Sequence, residues 1–184
     1  MIKRLIGKLI GQKPAKASNP LRISVEEHDI DIRHISPCAT RIISTLNQSG
    51  HEAYVVGGAV RDLLMGYTPK DFDVVTDATP EQVRRVFRNS RIIGRRFRLV
   101  HVYCGGDLVE VSTFRAPHET ADTQDRKGRV LRDNTFGSIN EDAIRRDFTV
   151  NALFYDMRTE EVLDFCGGYE DTRQSVLRII GAPM

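Results

Sequence analysis

The sequence predicts an α/β protein of the α+β kind, a mixed β-sheet backed by helices, on three observations. Short apolar runs bounded by turn residues recur at 52–56, 71–75, 98–103, 107–113, 150–156 and 161–165, with the length and composition of strands. Helix-start signals stand apart from them: Ser36-Pro37, Thr79-Pro80 and Ser138-Ile139-Asn140-Glu141, the last a capping box. Two of the strand pairs read as hairpins, while the others are separated by helical segments, which mixes strand directions within one sheet.

In chain order, Ile2, Leu5, Ile6, Leu9 and Ile10 alternate with Lys3, Arg4 and Lys8 at helical spacing, and Lys13 to Pro20 has linker composition. Residues 1–24 therefore read as a basic N-terminal arm and linker, a frayed arm being favoured over a segment that touches membrane or RNA. Residues 25–184 read as one domain. Its first helix runs from Ser36-Pro37 through Leu46 and stops at Gly50; a strand at 52–56, a helix at 58–65 and a strand at 71–75 follow. A helix at 80–88 leads to the hairpin 98–103 with 107–113, turned by Gly105-Gly106. Residues 115–135 are polar and lack apolar periodicity, so a long loop is expected there. The capping box starts a helix over about 139–147 that carries Arg145, Arg146 and Asp147 in its last turn. The hairpin 150–156 with 161–165 comes next, then one helical turn and a short strand, Val176 to Ile180.

A chain of 184 residues with 40% hydrophobic content can bury one core. The net charge of +2 advertises no polyanion partner, but its distribution is uneven: Arg84 to Arg98 holds seven arginines and no acid. Charge runs are usually solvated helix faces, yet arginine's planar fork also pairs bidentately with phosphate. Arg95, Arg96, Arg98 and Arg115 are therefore candidates for RNA or phosphate contact. Cys38, Cys104 and Cys166 are odd in number, widely spaced and without a C-x-x-C pair, which suggests neither disulfide nor zinc and fits a reducing cytoplasm. No apolar run approaches the roughly 20 residues of a membrane span, and the N-terminus lacks a secretory signal. No obligate protein partner is inferred, and no Ser/His/Asp or Cys/His constellation has context for nucleophilic hydrolysis. His101, mid-strand, reads as a half-buried, satisfied histidine.

The chemistry concentrates at 55–73. Gly57 and Gly58 end an apolar run and open a helix, where bare backbone N–H groups can approach an anion such as a triphosphate. Asp71 and Asp73 are one residue apart, so on a strand both carboxylates share a face, about 6.6 Å apart at Cα, with Phe72 and Val74 turned to the core. Two carboxylates so placed can share two Mg²⁺ ions. Arg61, one turn into the helix, can reach phosphate or pair with Asp62. Glu110 and Asp147 compete as the third acid; Val109 and Val111 point away from Glu110, which leaves it on the polar face beside the aspartates.

In this order, strand, Gly-Gly, helix and paired aspartates resemble the polymerase-β-like nucleotidyltransferases, in the branch that holds bacterial poly(A) polymerases and CCA-adding enzymes. Arg-Arg-Asp-Phe-Thr (145–149) is similar to a motif of that branch, and it implies an active-site role for Asp147 and nucleotide contact for Arg146. Ile-Gly-Arg-Arg-Phe-Arg-Leu-Val-His-Val (93–102) and Asp-Asn-Thr-Phe-Gly-Ser-Ile (133–139) are similar to the poly(A) polymerase side of the branch, with the CCA-adding side the runner-up. The resemblance runs from about Val25. It implies transfer of AMP from ATP to RNA 3′ ends, without a template, by a two-metal mechanism, with Asp71, Asp73 and Glu110 on metal and Asp147 ordering nucleotide or primer. It also implies a neck that selects the base and a body that grips RNA, neither expected within these 184 residues, so that polymerisation by this chain alone is expected to be poor. The rival from another class is a non-catalytic RNA- or nucleotide-binding module.

Overall fold

The computed structural model describes residues 19–95, 97–116 and 136–181. The expected basic arm up to residue 18, most of the expected loop at 115–135, and Arg96 lie outside the described residues.

Eight strands form one mixed sheet in the order β1-β8-β7-β2-β3-β6-β5-β4. They are β1 (Leu21–Ile23), β2 (Ala53–Val56), β3 (Asp73–Thr76), β4 (Ser90–Ile93), β5 (Leu99–Cys104), β6 (Asp107–Thr113), β7 (Leu153–Asp156) and β8 (Glu161–Asp164). β3 runs parallel to β6, and the other neighbours are antiparallel. Both expected hairpins, β5–β6 and β7–β8, are present. Two strands go beyond the expectation. β1 falls inside the stretch read as arm and linker and pairs with β8, while β4 lies within the arginine-rich run, where charge masked the alternation.

The helices are α1 (Pro37–Gln48), α2 (Gly58–Leu64), α3 (Pro80–Val86), α4 (Ile139–Ile144) and α5 (Gly168–Arg173). Ser36, Thr79 and Ser138 cap α1, α3 and α4 through their side chains, and the last two close full capping boxes. α4 is shorter than expected: it stops at Ile144, so Arg145, Arg146 and Asp147 lie beyond its last turn rather than in it. Val176 to Ile180 forms no strand; Ile179 makes a single bridge to Phe148.

Strand alternation divides the core between the two faces of the sheet. Val55, Val74, Val100, Val102, Val109 and Val111 join α1, α2 and α3 in one cluster. Tyr54, Val56, Val75, Phe114 and Phe154 join Ala143 of α4 in the other. Burial of branched aliphatic side chains on both faces contributes about 25 cal/mol per Å² of apolar surface. One cysteine expectation is corrected, since Cys38 and Cys104 form a disulfide across a sequence separation of 66. The start of α1 and the end of β5 meet with Cα atoms 5.7 Å apart, inside the range a disulfide spans; no spacing rule reveals a contact made only by the fold. Cys166 is free. Among the described residues no helix is long and apolar enough to cross a membrane.

Candidate active site

β2 ends at Val56, and Gly57 then adopts φ 77° and ψ −135°, a backbone state that side-chain-bearing residues rarely reach. This turn sends the chain from the sheet into α2 and is held by the Gly57 N–H, which donates to the Leu153 carbonyl at 3.1 Å. A methyl group at Gly57 would lie 3.5 Å from Arg146 Nη1, and one at Gly58 3.5 Å from Arg61 Nη2. The two glycines thus leave the α2 entrance open directly beside two guanidinium groups. Val56 pairs with Asp73 across the ladder, so the glycine turn and the acid are neighbours.

Asp73 pairs in turn with Glu110 on β6, and Glu110 with His101 on β5. Residues opposite one another share a face, and the alternation from Val75 puts this row on the α4 side of the sheet. His101 Nε2 sits 3.2 Å from Glu110 Oε1, so the histidine is satisfied as expected, with a site carboxylate as its partner. The Asp73 carboxyl is pushed above the usual carboxylate range. Desolvation by the surrounding protein is the largest cause, Glu110 the next and Asp71 the smallest, while Arg146 opposes them.

Asp71 is exposed and precedes β3, so the two aspartates do not share a strand as expected. The reason is local: β2 turns away at Gly57, directly beyond the partner of Asp73, and leaves the chain at Asp71 without that neighbour. Phe72 and Val74 are buried as expected. The expected three-carboxylate cage is not assembled: among the described residues no three His, Cys, Asp or Glu groups gather closely enough to hold an ion. The donor set nevertheless fits Mg²⁺: the carboxylates are hard oxygen ligands, and Glu110 and Asp71 add, after desolvation, to the upward shift of Asp73, a like-charge contribution that a divalent cation relieves. Asp71, Asp73 and Glu110 are the residues that would hold it.

Arg61 and Arg146 converge on Asn151, which stands in the 3-10 turn Thr149–Asn151. Arg61 Nη1 donates to Asn151 Oδ1 at 2.9 Å and its Nη2 pairs with Asp62 at 2.7 Å, so the Asp62 salt bridge is present as well. Arg146 Nη1 donates to the Asn151 carbonyl at 3.4 Å, and Nη2 to Asp142 at 2.8 Å. Its guanidinium also lies over the Phe154 ring, 5.4 Å from the centroid. Asp142 is buried and also accepts from the Arg115 N–H at 3.2 Å. Asn151 and Asp142 escaped the sequence reading, although Asp142 and Arg146 stand at the readable i, i+4 spacing.

Asp147 is not brought to the aspartate pair by any contact. It is exposed, its carboxylate accepts from the Phe148 N–H at 2.8 Å, and its carbonyl accepts from Ile180 N–H at 2.9 Å. The described arginine candidates, Arg95, Arg98 and Arg115, do not gather at Asp71 and Asp73 either. Leu99 lies opposite Ser112, which pairs with Val75, so the turn before β5 is at the far end of β3 from Asp73. There Arg95 is exposed, Arg98 pairs with Glu81 at 2.5 Å, and Arg115 stacks on Phe97 at 5.2 Å.

An open cleft of about 410 Å³ fronts the acids, lined by Gly58, Ala59, Asp62, Tyr67, Thr68, Lys70, Asp71 and Asp73. Lys70, which the sequence reading passed over, stands here beside both aspartates. The α2 entrance at Gly58 and the acids Asp71 and Asp73 thus share one cleft, and the family model described as the Poly A polymerase head domain matches residues 53–178. The chain belongs to the poly(A) polymerase head-domain family. Within it, the chain is 52% identical over 164 residues to poly(A) polymerase I of Salmonella typhimurium, covering 86% of this chain and 35% of that protein. It is 46% identical to poly(A) polymerase I of Haemophilus influenzae, covering 88% and 37% respectively. The CCA-adding enzyme of Bacillus pumilus is 37% identical, covering 79% and 35%. Among solved structures, the Bacillus stearothermophilus CCA-adding enzyme in complex with CTP superimposes with a TM-score of 0.64 at 37% identity, over 80% of this chain and 34% of that one. The chain therefore spans about a third of the length of the relatives it matches.

Proposed function

We propose that this domain is the catalytic head of a polynucleotide adenylyltransferase, which adds AMP from ATP to RNA 3′ ends in the bacterial cytoplasm without a template. The observation that carries the reading is the row Asp73–Glu110 beside the Gly57 turn, with Arg61 and Arg146 anchored to Asn151 at the same opening. The α2 entrance and the two guanidinium groups would bind the triphosphate. Arg61 and Arg146 would oppose the charge gathering on the departing pyrophosphate. The RNA 3′-oxygen would attack the α-phosphorus as the bond to the β-phosphate breaks and pyrophosphate leaves. Bound Mg²⁺, as two ions on Asp71, Asp73 and Glu110, would supply a lowered pKa at the attacking hydroxyl and charge neutralisation at phosphorus. Asp147 would order nucleotide or primer through the backbone of its loop rather than on metal. Higher identity to poly(A) polymerases than to CCA-adding enzymes favours ATP as substrate.

The experiment is a titration of the chain with ATP and with CTP, each with and without Mg²⁺, repeated on Asp71→Ala/Asp73→Ala. Metal-dependent binding lost in the double variant is the expected result. Equal affinity for ATP and CTP would leave base choice to parts outside these residues. Binding indifferent to both metal and substitution would overturn the transferase reading and leave a phosphate-binding module.

A further inference from the structure

On the face of the sheet away from the acid row, α1, the end of α3 and the end of β5 surround an open cleft of about 300 Å³. Ile42, Val86, Phe87 and Val102 form its apolar wall, Cys104 lies in it, and Arg41 and Arg88 are its two cations, with no acid in the lining. Both arginines are exposed. Arg84 adds a third positive charge at the rim, where its Nη1 donates to the carbonyls of Phe87 at 3.3 Å and Arg88 at 3.0 Å. Asp107 is opposite Cys104 across the hairpin, yet it lines a different opening, toward Arg33 to Pro37. A small anion with an apolar part suits this lining. The two sulfurs of the bridge beside it are unequal. Cys38 is 3% exposed, whereas Cys104 is only partly buried and lines the cleft. A thiolate arriving from solvent therefore reaches Cys104, and exchange depends on which sulfur is accessible. Cys38 is the second residue of α1, where the helix N-terminus favours negative charge on its sulfur and offsets part of the cost of its burial.

We propose that this cleft is a thiol-exchange site, in which Arg41 and Arg88 hold the carboxylates of a small anionic thiol such as glutathione while its sulfur attacks Cys104. The new bond forms between the thiol sulfur and Cys104 Sγ. The Cys38–Cys104 bond breaks, and its electron pair leaves on Cys38 Sγ, which takes up a proton from water. A second glutathione thiolate attacks the glutathione sulfur of this mixed disulfide, so Cys104 departs as a thiolate and glutathione disulfide is released. The bridge gains two electrons and two glutathione molecules are oxidised; in reverse, glutathione disulfide closes the bridge through the same adduct. A cytoplasm keeps thiols reduced through such small thiols, so the cleft sets how fast they open the bridge. Cys166 is no rival, since burial and then Asp164 push its pKa up to about 11 and leave the thiol protonated.

The test uses the oxidised chain carrying Cys166→Ser and follows the release of thiols under reduced glutathione or under uncharged dithiothreitol. Arg41→Glu with Arg88→Glu is expected to slow glutathione about tenfold and to leave dithiothreitol within about twofold, with the gap narrowing in high salt. An unchanged glutathione rate, or equal slowing of both reductants, would overturn the site. A second arm locates the attacked sulfur by mass spectrometry after treatment with glutathione disulfide. The chain with Cys38→Ser and Cys166→Ser is expected to gain glutathione at least about fivefold faster than the chain with Cys104→Ser and Cys166→Ser. Equal or faster labelling at Cys38 would overturn the assignment, as would a failure of glutathione disulfide to close the bridge in the reduced parent chain.

Discussion

Asn151 serves two arginines with two different atoms, its side-chain oxygen for Arg61 and its backbone carbonyl for Arg146. Asn151→Ala removes only the first, so Arg61 keeps Asp62 but loses its aim at the α2 entrance. Mg²⁺–ATP affinity should fall by about 1.5 kcal/mol, roughly tenfold; an unchanged titration curve would show that Arg61 is held by Asp62 alone. Asp73 offers a second check. Its carboxyl titrates above the usual range partly because Glu110 faces it, so Glu110→Gln should bring it down, as read by carbon-detected NMR of the metal-free protein. The sign for stability follows from linkage: with a folded pKa above the unfolded one, the contribution of Asp73 is present at low pH and is lost as pH rises through the folded value. Mg²⁺ binding should weaken as pH falls through the same window, because the ligand must shed its proton. At this scale the glycines were legible as a turn that ends an apolar run, and the shared face of Asp73 and Glu110 from period-two alternation. Asn151 was not, because its role depends on a turn that brings residues 61, 146 and 151 together.

The 3-10 turn that carries Asn151 is braced from outside. Gly168 packs so tightly that a methyl group there would stand 2.1 Å from the Thr149 carbonyl oxygen, a backbone atom unable to retreat alone. Gly168→Ala should destabilise by about 1–3 kcal/mol, measured by urea unfolding, and should weaken Mg²⁺–ATP as the turn shifts. An alanine variant of wild-type stability would mean that α5 slides without cost. Asp171 on the same helix accepts from Thr149 Oγ1 at 2.7 Å and pairs with Arg178 at 2.9 Å. Burial raises its pKa, but the bonds from Arg178 and Thr149 outweigh burial and hold the carboxyl below the usual range. Its stabilisation is therefore present above the unfolded pKa and is lost as pH falls through the lower folded value; Asp171→Asn should cost about 2 kcal/mol at neutral pH and flatten that acid limb. Capped helices and turn-closed hairpins were readable in the sequence because their signals are local. The end of α4, the start of β3 and the strand β4 were not, since pairing partners distant in the chain decide them.

Across the molecule, the disulfide joins residues 66 apart. Chain entropy alone assigns a loop of that size about 4 kcal/mol, so reduction, or Cys38→Ser with Cys104→Ser, should lower the melting temperature by roughly 10 °C. Equal melting with and without dithiothreitol, together with three titratable thiols, would show that the bond does not form in solution. The mixed sheet and its helical backing were expected from the order of strand and helix signals, whereas the closure of the sheet by Leu21–Ile23 on β8 was hidden by the linker-like stretch before it. A mechanical consequence follows from the pairing of Val56 with Asp73 and of Asp73 with Glu110. The glycine turn follows the Val56 rung directly, so it and the acid row sit on one hydrogen-bonded ladder and cannot separate without breaking the sheet. Any opening and shutting of the cleft has to be carried out by chain outside those rungs.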